Sequence, residues 1–201
     1  MAFELSSFTK ALSGAGARAS LFEVTLTKTP VIATVNKEDT KIENDMKFNC
    51  RATTIPGMTI TQIETLYFGR TIKTPGDLEF ADWTTTILND NNYRVRRAIE
   101  RWMASINSHS ENIMNPKYGG VSPATTGKGT TGLDGGVYPW TGTAHIQQYN
   151  KLGTATHQYS LHHIWPTAID PQDMSYDNTG TIQEYGITWS MDWWDYDGLK
   201  T

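Results

Sequence analysis

Four groups of side chains could carry chemistry. The segment 122–130 (SPATTGKGT) holds Gly127–Lys128, the pair that ends a phosphate-binding loop. Such a loop also needs a glycine five residues before Gly127 and a Ser or Thr after the lysine, so that backbone N–H groups cradle phosphates and a hydroxyl reaches Mg2+. Ser122 and Gly129 stand at those positions, and a flexible Gly/Thr loop fits them better. Five histidines raise metal binding. His162 and His163 are adjacent, so on a strand they point to opposite faces and cannot chelate together. His145 and His157 could approach one of them across a sheet, but no carboxylate or thiol stands at ligand spacing. The single cysteine, Cys50, excludes an intramolecular disulfide and a cysteine-rich zinc site. No G-x-S-x-G elbow is present, and the acids of 170–177 and 192–197 read as turn and terminal charges. No catalytic, cofactor-binding or metal-binding residue is therefore assigned. The chain reads as a non-enzyme with no cofactor.

The elements that would position such groups follow from composition and periodicity. The chain has 201 residues, a span for one domain (1–201). Its net charge is −4, which disfavours a basic nucleic-acid binder. No stretch approaches the ~18 uninterrupted apolar residues of a membrane span, so no membrane anchor is expected. The first twenty residues lack a basic n-region followed by an apolar run, so no signal peptide is expected. The 29 threonines, 9 tyrosines and 7 tryptophans lean toward β-structure.

Residues 1–20 read as an N-terminal arm, in which Leu5, Phe8 and Leu12 form a short helical stripe that docks on a core or a neighbour, or frays. Leu21–Thr27 alternates as a strand. Residues 29–45 read as a long hairpin tip, and Lys47–Thr53 as a strand burying Phe48, Cys50 and Ala52. Ile60–Leu66 and Tyr67–Lys73 form two extended segments meeting near Gly69, and Pro75–Gly76 predicts a turn. Glu79–Leu88 is a strand with Trp83, Thr85 and Ile87 on one face. The one clear helix is Tyr93–Asn107, where Val95, Ala98, Ile99, Trp102, Met103 and Ile106 keep helical spacing. Residues 108–141 read as a flexible loop insertion. Strands follow at Thr143–Tyr149, Gln158–Trp165 and Thr181–Trp194, the last with Tyr185, Ile187, Trp189, Met191 and Trp193 facing inward. Trp194 and Tyr196 remain as stacking platforms for a carbohydrate-binding β-sandwich, or as an aromatic end that docks on a partner.

Three blocks stand in order: Ala19–Leu26 (ASLFEVTL) with Phe48–Gly57 (FNCRATTIPG); Gly69–Asp90 (GRTIKTPGDLEFADWTTTILND); and His163–Pro166 (HIWP) with Ile182–Asp195 (IQEYGITWSMDWWD). They resemble the tail tube proteins of contractile-tailed bacteriophages, the T4-like myovirus family, related to the inner tubes of type VI secretion systems and tailocins. The resemblance rests on Gly69, Arg70, Phe80, Asp82, Trp83, Asn89, Asp90, Trp165 and Pro166, and an arm with Phe3, Leu5, Phe8 and Leu12 at a subunit interface fits it.

The resemblance implies a mainly β fold: an antiparallel β-sandwich or barrel with one flanking α-helix and the N-terminal arm. It also implies homohexameric rings stacked into a tube within a contractile sheath. The implied role is that of a structural virion protein, assembled in the host cytoplasm, whose channel passes double-stranded DNA without sequence preference. Implied partners are further copies of the chain, the tail sheath protein, the tape measure, and baseplate and terminator proteins. The alternatives are a tailocin or type VI-like inner tube and, from another class, the carbohydrate-binding sandwich. An open sheet edge is a liability unless another chain pairs it, which suits a ring. Deleting residues 1–17 is expected to leave a folded chain that forms no tubes, checked by circular dichroism and sedimentation; normal tubes from the truncated chain would refute the arm's role.

Overall fold

In a computed structural model, residues 10, 16–29, 42–109, 140–177 and 179–197 are described. The arm residues Phe3, Leu5, Phe8 and Leu12, the segment 30–41 and most of the 108–141 insertion lie outside them. The elements in chain order are β1 (Phe22–Lys28), α1 (Ile42–Asn49), β2 (Cys50–Thr53), β3 (Met58–Tyr67), β4 (Arg70–Phe80) and β5 (Trp83–Leu88). They continue with α2 (Arg94–Ile106), β6 (Gly142–Tyr149), β7 (Ala155–Ile169), β8 (Glu184–Ser190) and β9 (Trp193–Tyr196). Every strand pair is antiparallel. The chain is mainly β, as its threonine and aromatic content predicts.

β7 organises the sheets. At 15 residues it is long enough to serve two sets of neighbours. Its first half pairs with β6 on one side and β9 on the other, and its second half pairs with β8. The strand order is β1-β6-β7-β8-β5-β2, with β9 beside β7. The change of partner needs a bend, and the bend sits at His163, whose φ is 57°. The partner strand breaks at the same level, between β8 and β9. There the Asp192 N–H donates to the His162 carbonyl at 3.3 Å, and Asp192 Oδ2 meets His163 Nδ1 at 2.6 Å. Two matched kinks thus let one strand pair pass from sheet to sheet.

Alternation along these strands fills the space between the sheets. Val24 and Leu26 of β1 face Ile146 and Ala144 of β6, and all four are fully buried. Leu161 and Ile164 of β7, Tyr185, Ile187 and Trp189 of β8, and Trp83 and Ile87 of β5 complete the sheet side. α2 lays Val95, Ala98, Ile99, Trp102 and Ser105 onto it. Asp90 starts that helix: its Oδ1 accepts the Arg94 N–H at 2.8 Å, satisfying one of the amides that a helix N-terminus leaves open. Trp83 and Trp189 stack with centroids 5.5 Å apart, and Trp102 meets Trp189 edge-on at 5.7 Å.

Several expectations need correction. The hairpin tip over 29–45 does not extend to Asp45, because α1 begins at Ile42 and runs through Asn49. A helix turns about 100° per residue, so Met46, not Phe48, faces the core: Met46 is fully buried while Phe48 is 77% exposed. In the short strand that follows, Cys50 is half-buried and Ala52 is exposed. α1 is thus a helix beside the expected α2. Pro75–Gly76 is no turn but lies inside β4, at a register shift against β3. Glu79–Leu88 is split at Ala81–Asp82, with β4 ending at Phe80 and β5 starting at Trp83. Thr181–Trp194 is split at Met191–Asp192, which reverses the alternation: Trp193 pairs with His162 on the outer face and is 39% exposed, while Trp194 pairs with the buried Leu161.

Burial of the Cys50 thiol pushes its pKa up to about 12, so it stays protonated and unreactive near neutral pH. Trp102→Ala is expected to cost ~3–5 kcal/mol in denaturant unfolding, as for large core aromatics, and Arg97→Ala on the exposed face of α2 no more than about 0.5 kcal/mol. Equal losses would contradict the helix facing.

Candidate assembly surface

β3 and β4 form a two-stranded sheet of their own, joined to no other strand among the described residues. They pair from Met58↔Phe80 at the root to Tyr67↔Arg70 at the tip. The root is anchored where the Phe80 ring meets Trp194 edge-on at 6.2 Å and where the Ala81 N–H donates to the Gly57 carbonyl at 3.0 Å. Beyond that the hairpin stands clear of the body. Met58, Ile60, Ile63, Leu66, Tyr67, Phe68, Ile72 and Leu78 are all exposed. An isolated two-stranded hairpin is marginal in water at best, and a contiguous apolar surface on a soluble chain marks a contact site.

The tip carries a second signal. Phe68 and Gly69 both have positive φ, 49° and 78°, the arrangement of a type I′ turn. Glycine and asparagine tolerate that conformation, but an aromatic there is strained. Phe68 is nevertheless 93% exposed, held only by an edge-to-face contact with Tyr67 at 4.7 Å. Among the described residues, no ring contact beyond the one with Tyr67 offsets that strain.

The remaining candidates do not converge. Gly69 and Arg70 are at the hairpin tip and Phe80 at its root. Asp82 is exposed in the break before β5, and Trp83 lies in the core. Asn89 donates to Gln183 Oε1 at 3.2 Å, and Asp90 caps α2. Trp165 and Pro166 sit just past the β7 bend, opposite Ser190 and Trp189. These residues shape turns, caps and the core, and form no common pocket. Among the described residues no three His, Cys, Asp or Glu side chains are grouped to hold a metal. His162 stacks on Trp193 at 3.8 Å and approaches Asp195 at 3.4 Å. His145 meets Ser160 at 3.1 Å, and burial lowers its pKa. Trp194 and Tyr196 share one face of β9, where both rings lie against Tyr159 at 5.5 and 6.4 Å and Trp194 is partly buried against the core. The SPATTGKGT loop lies outside the described residues.

Sequence reasoning found the two segments of the hairpin and their meeting point, but missed that its apolar residues are uncovered. Alternation assigns a residue to a face and does not say what covers that face.

Comparison with known proteins gives the family. A family model described as phage tail tube protein matches residues 17–196. The tail tube proteins gp19 of Enterobacteria phages T4 and T6 are each 25% identical over 184 residues, covering 91% of this chain and 93% of theirs. The fold is shared with a subunit of a sheath–tube complex from an extracellular contractile injection system (TM-score 0.56, 13% identity, 98% of this chain and 100% of that one). It is also shared with a subunit of a sheath/tube terminator (TM-score 0.58, 14% identity, 90% and 96%). The chain thus belongs to the phage tail tube protein family, structural components of the virion tail.

Proposed function

We propose that six copies of this chain close into a ring, that rings stack into a tube through the β3–β4 hairpin, and that the tube conducts double-stranded DNA within a contractile sheath. The observation that carries this reading is the hairpin: an exposed apolar ribbon with a strained aromatic tip, uncovered by any of the described residues. The end strands support it. β1 and β2 close the strand order, and each has a single strand neighbour among the described residues. Head-to-tail contacts of one chain with itself close into rings when the rotation allows. The role is structural and non-catalytic. Sheath and terminator proteins as partners are favoured by the solved complexes that share the fold, tape-measure and baseplate proteins by the family. Passage of DNA, and not of a secreted protein, is favoured by the phage tail tube relatives at 25% identity.

The wall charge follows from the outward strand faces. On one sheet Glu23, His145, Asp195 and Asp197 face outward, Glu23 paired with Lys47 at 2.7 Å. On the other are Thr84, Thr86, Thr188 and an Arg51–Glu184 ion pair. If either of these two strand faces lines the channel, the residues named leave it neutral or acidic. Six copies at −4 each bring −24 formal charges to a ring. A cationic wall would grip phosphates and release counterions, whereas a neutral or acidic one repels the duplex weakly over the screening length of about 8–10 Å.

Negative-stain microscopy of the purified chain is expected to show rings or tubes, and only small monodisperse particles would overturn the reading. Phe68→Asn is expected to raise chain stability by ~0.5–1 kcal/mol by relieving the left-handed strain, and to shorten or abolish tubes. A cryo-EM map of the tube is expected to show a lumen of zero or negative charge; rings of Lys or Arg along it would sink the DNA-conducting role.

A further inference from the structure

The apolar surface of the hairpin changes sides halfway along. Near the root, Met58 pairs with Phe80 and Ile60 with Leu78, so all four side chains share one face. The opposite face there carries Thr59, Thr61, Asp77 and Glu79. Between Ile60 and Gln62 the register jumps from Leu78 to Pro75, one extra residue in β4, which is a β-bulge. The bulge is built around Gly76, where a Cβ would lie 2.6 Å from Thr61 Oγ1, and Thr61 donates to the Asp77 carbonyl at 3.2 Å. Beyond it, Ile63, Ile72 and Tyr67 fall on the opposite face. The face continuous with the root apolar patch turns polar there, carrying Gln62, Glu64 and Lys73, with Lys73 bonded to Glu64 at 3.3 Å and to Gln62 at 3.2 Å. Leu66 is the apolar exception on that side.

From this switch we infer that the hairpin is a two-sided clasp whose root half docks on one copy of the chain and whose outer half docks, by its opposite face, on a different copy. The inference rests on the reading of the chain as a self-assembling tube subunit. One flat partner surface can cover only one face of a ribbon. Covering the root face and the outer reverse face together needs surfaces on both sides, and a copy within a stack of rings has neighbours on both sides. Size agrees: residues 58–80 fall within the roughly 20–30 residues a side of a standard interface. Charge agrees as well. The ribbon carries both signs, with Glu64 and Lys73 neutralising each other, which suits a like chain better than a polyanion.

The test is photocrosslinking in assembled tubes. Ile60 and Ile72, 56% and 48% exposed, sit on the two opposed apolar faces. Each is replaced by p-benzoylphenylalanine, singly and together, and the labelled chain is co-assembled with a large excess of unlabelled chain. Leu78 and Ile63, on the same two faces, serve as a second pair should the first disturb folding. Each single label is expected to give two-chain adducts, with different peptides captured from Ile60 and from Ile72, and the double label to give three-chain adducts. Tubes in which the double label yields only two-chain adducts, or in which both positions capture the same peptide of one copy, overturn the clasp and leave the tube reading intact. Absence of rings or tubes in the same sample by negative stain overturns the tube reading, and the clasp with it.

Discussion

The packing of Trp83, Trp189 and Trp102 is the contact on which the remainder of the subunit depends. Trp83 comes from β5, Trp189 from β8 and Trp102 from α2, so one cluster ties a sheet pair to the helix that covers it. Burying three indoles is favourable only if their N–H groups are satisfied, since an unpaired buried donor costs about 1–3 kcal/mol. Each finds an acceptor: Trp83 donates to Thr53 Oγ1 at 2.8 Å, Trp189 to Thr85 Oγ1 at 2.9 Å and Trp102 to the Trp140 carbonyl at 2.7 Å. The acceptors place further elements in turn. Thr53 fixes β2 at the sheet end, and Trp140 leads the chain into β6. The threonine that occupies a core position, Thr85, is there for its hydroxyl.

That arrangement explains why the subunit can hold a hairpin it does not cover. The core is built from the two sheets, one face of α2 and Met46 of α1, and among the described residues the hairpin meets it where Phe80 packs on Trp194. Changes in the outer hairpin therefore leave the core contacts intact. Regions with few buried apolar contacts open at low free energy, and the outer hairpin is such a region. Stability thus resides apart from the surface proposed for assembly.

How much of this was legible in the sequence depended on the length of each pattern. Six apolar positions in register identified α2, and the inward set Trp83, Thr85 and Ile87 identified β5. Short patterns failed. Phe48, Cys50 and Ala52 alternate over five residues, too few to distinguish a period of 2 from the end of a helix, and the tertiary fit of Met46 decided for α1. Pro75–Gly76 carries the same punctuation in a turn and in a bulge; only pairing with Thr61 and Gln62 separates them. Trp193 was placed inward because one strand was extended across a two-residue break that reverses the alternation. The assembly surface was least legible of all, because exposure belongs to the fold and to its neighbours and not to a local pattern.

In the proposed clasp, the same separation bears on how a free subunit avoids pairing off before it meets its neighbours. A ribbon with all its apolar residues on one side would pair with a second ribbon in solution, burying both in a two-chain dead end. Here the bulge divides the apolar surface, so any single encounter covers one half and leaves the other in water. Each half alone is below the size of a standard interface, and a weak first contact dissociates readily. With both proposed neighbours in place, the second contact would form within a fixed geometry, and the two together would exceed either alone by the gain in effective concentration. A divided surface of this kind favours addition to an existing assembly over pairing between free chains, and the glycine at position 76 is the residue that divides it.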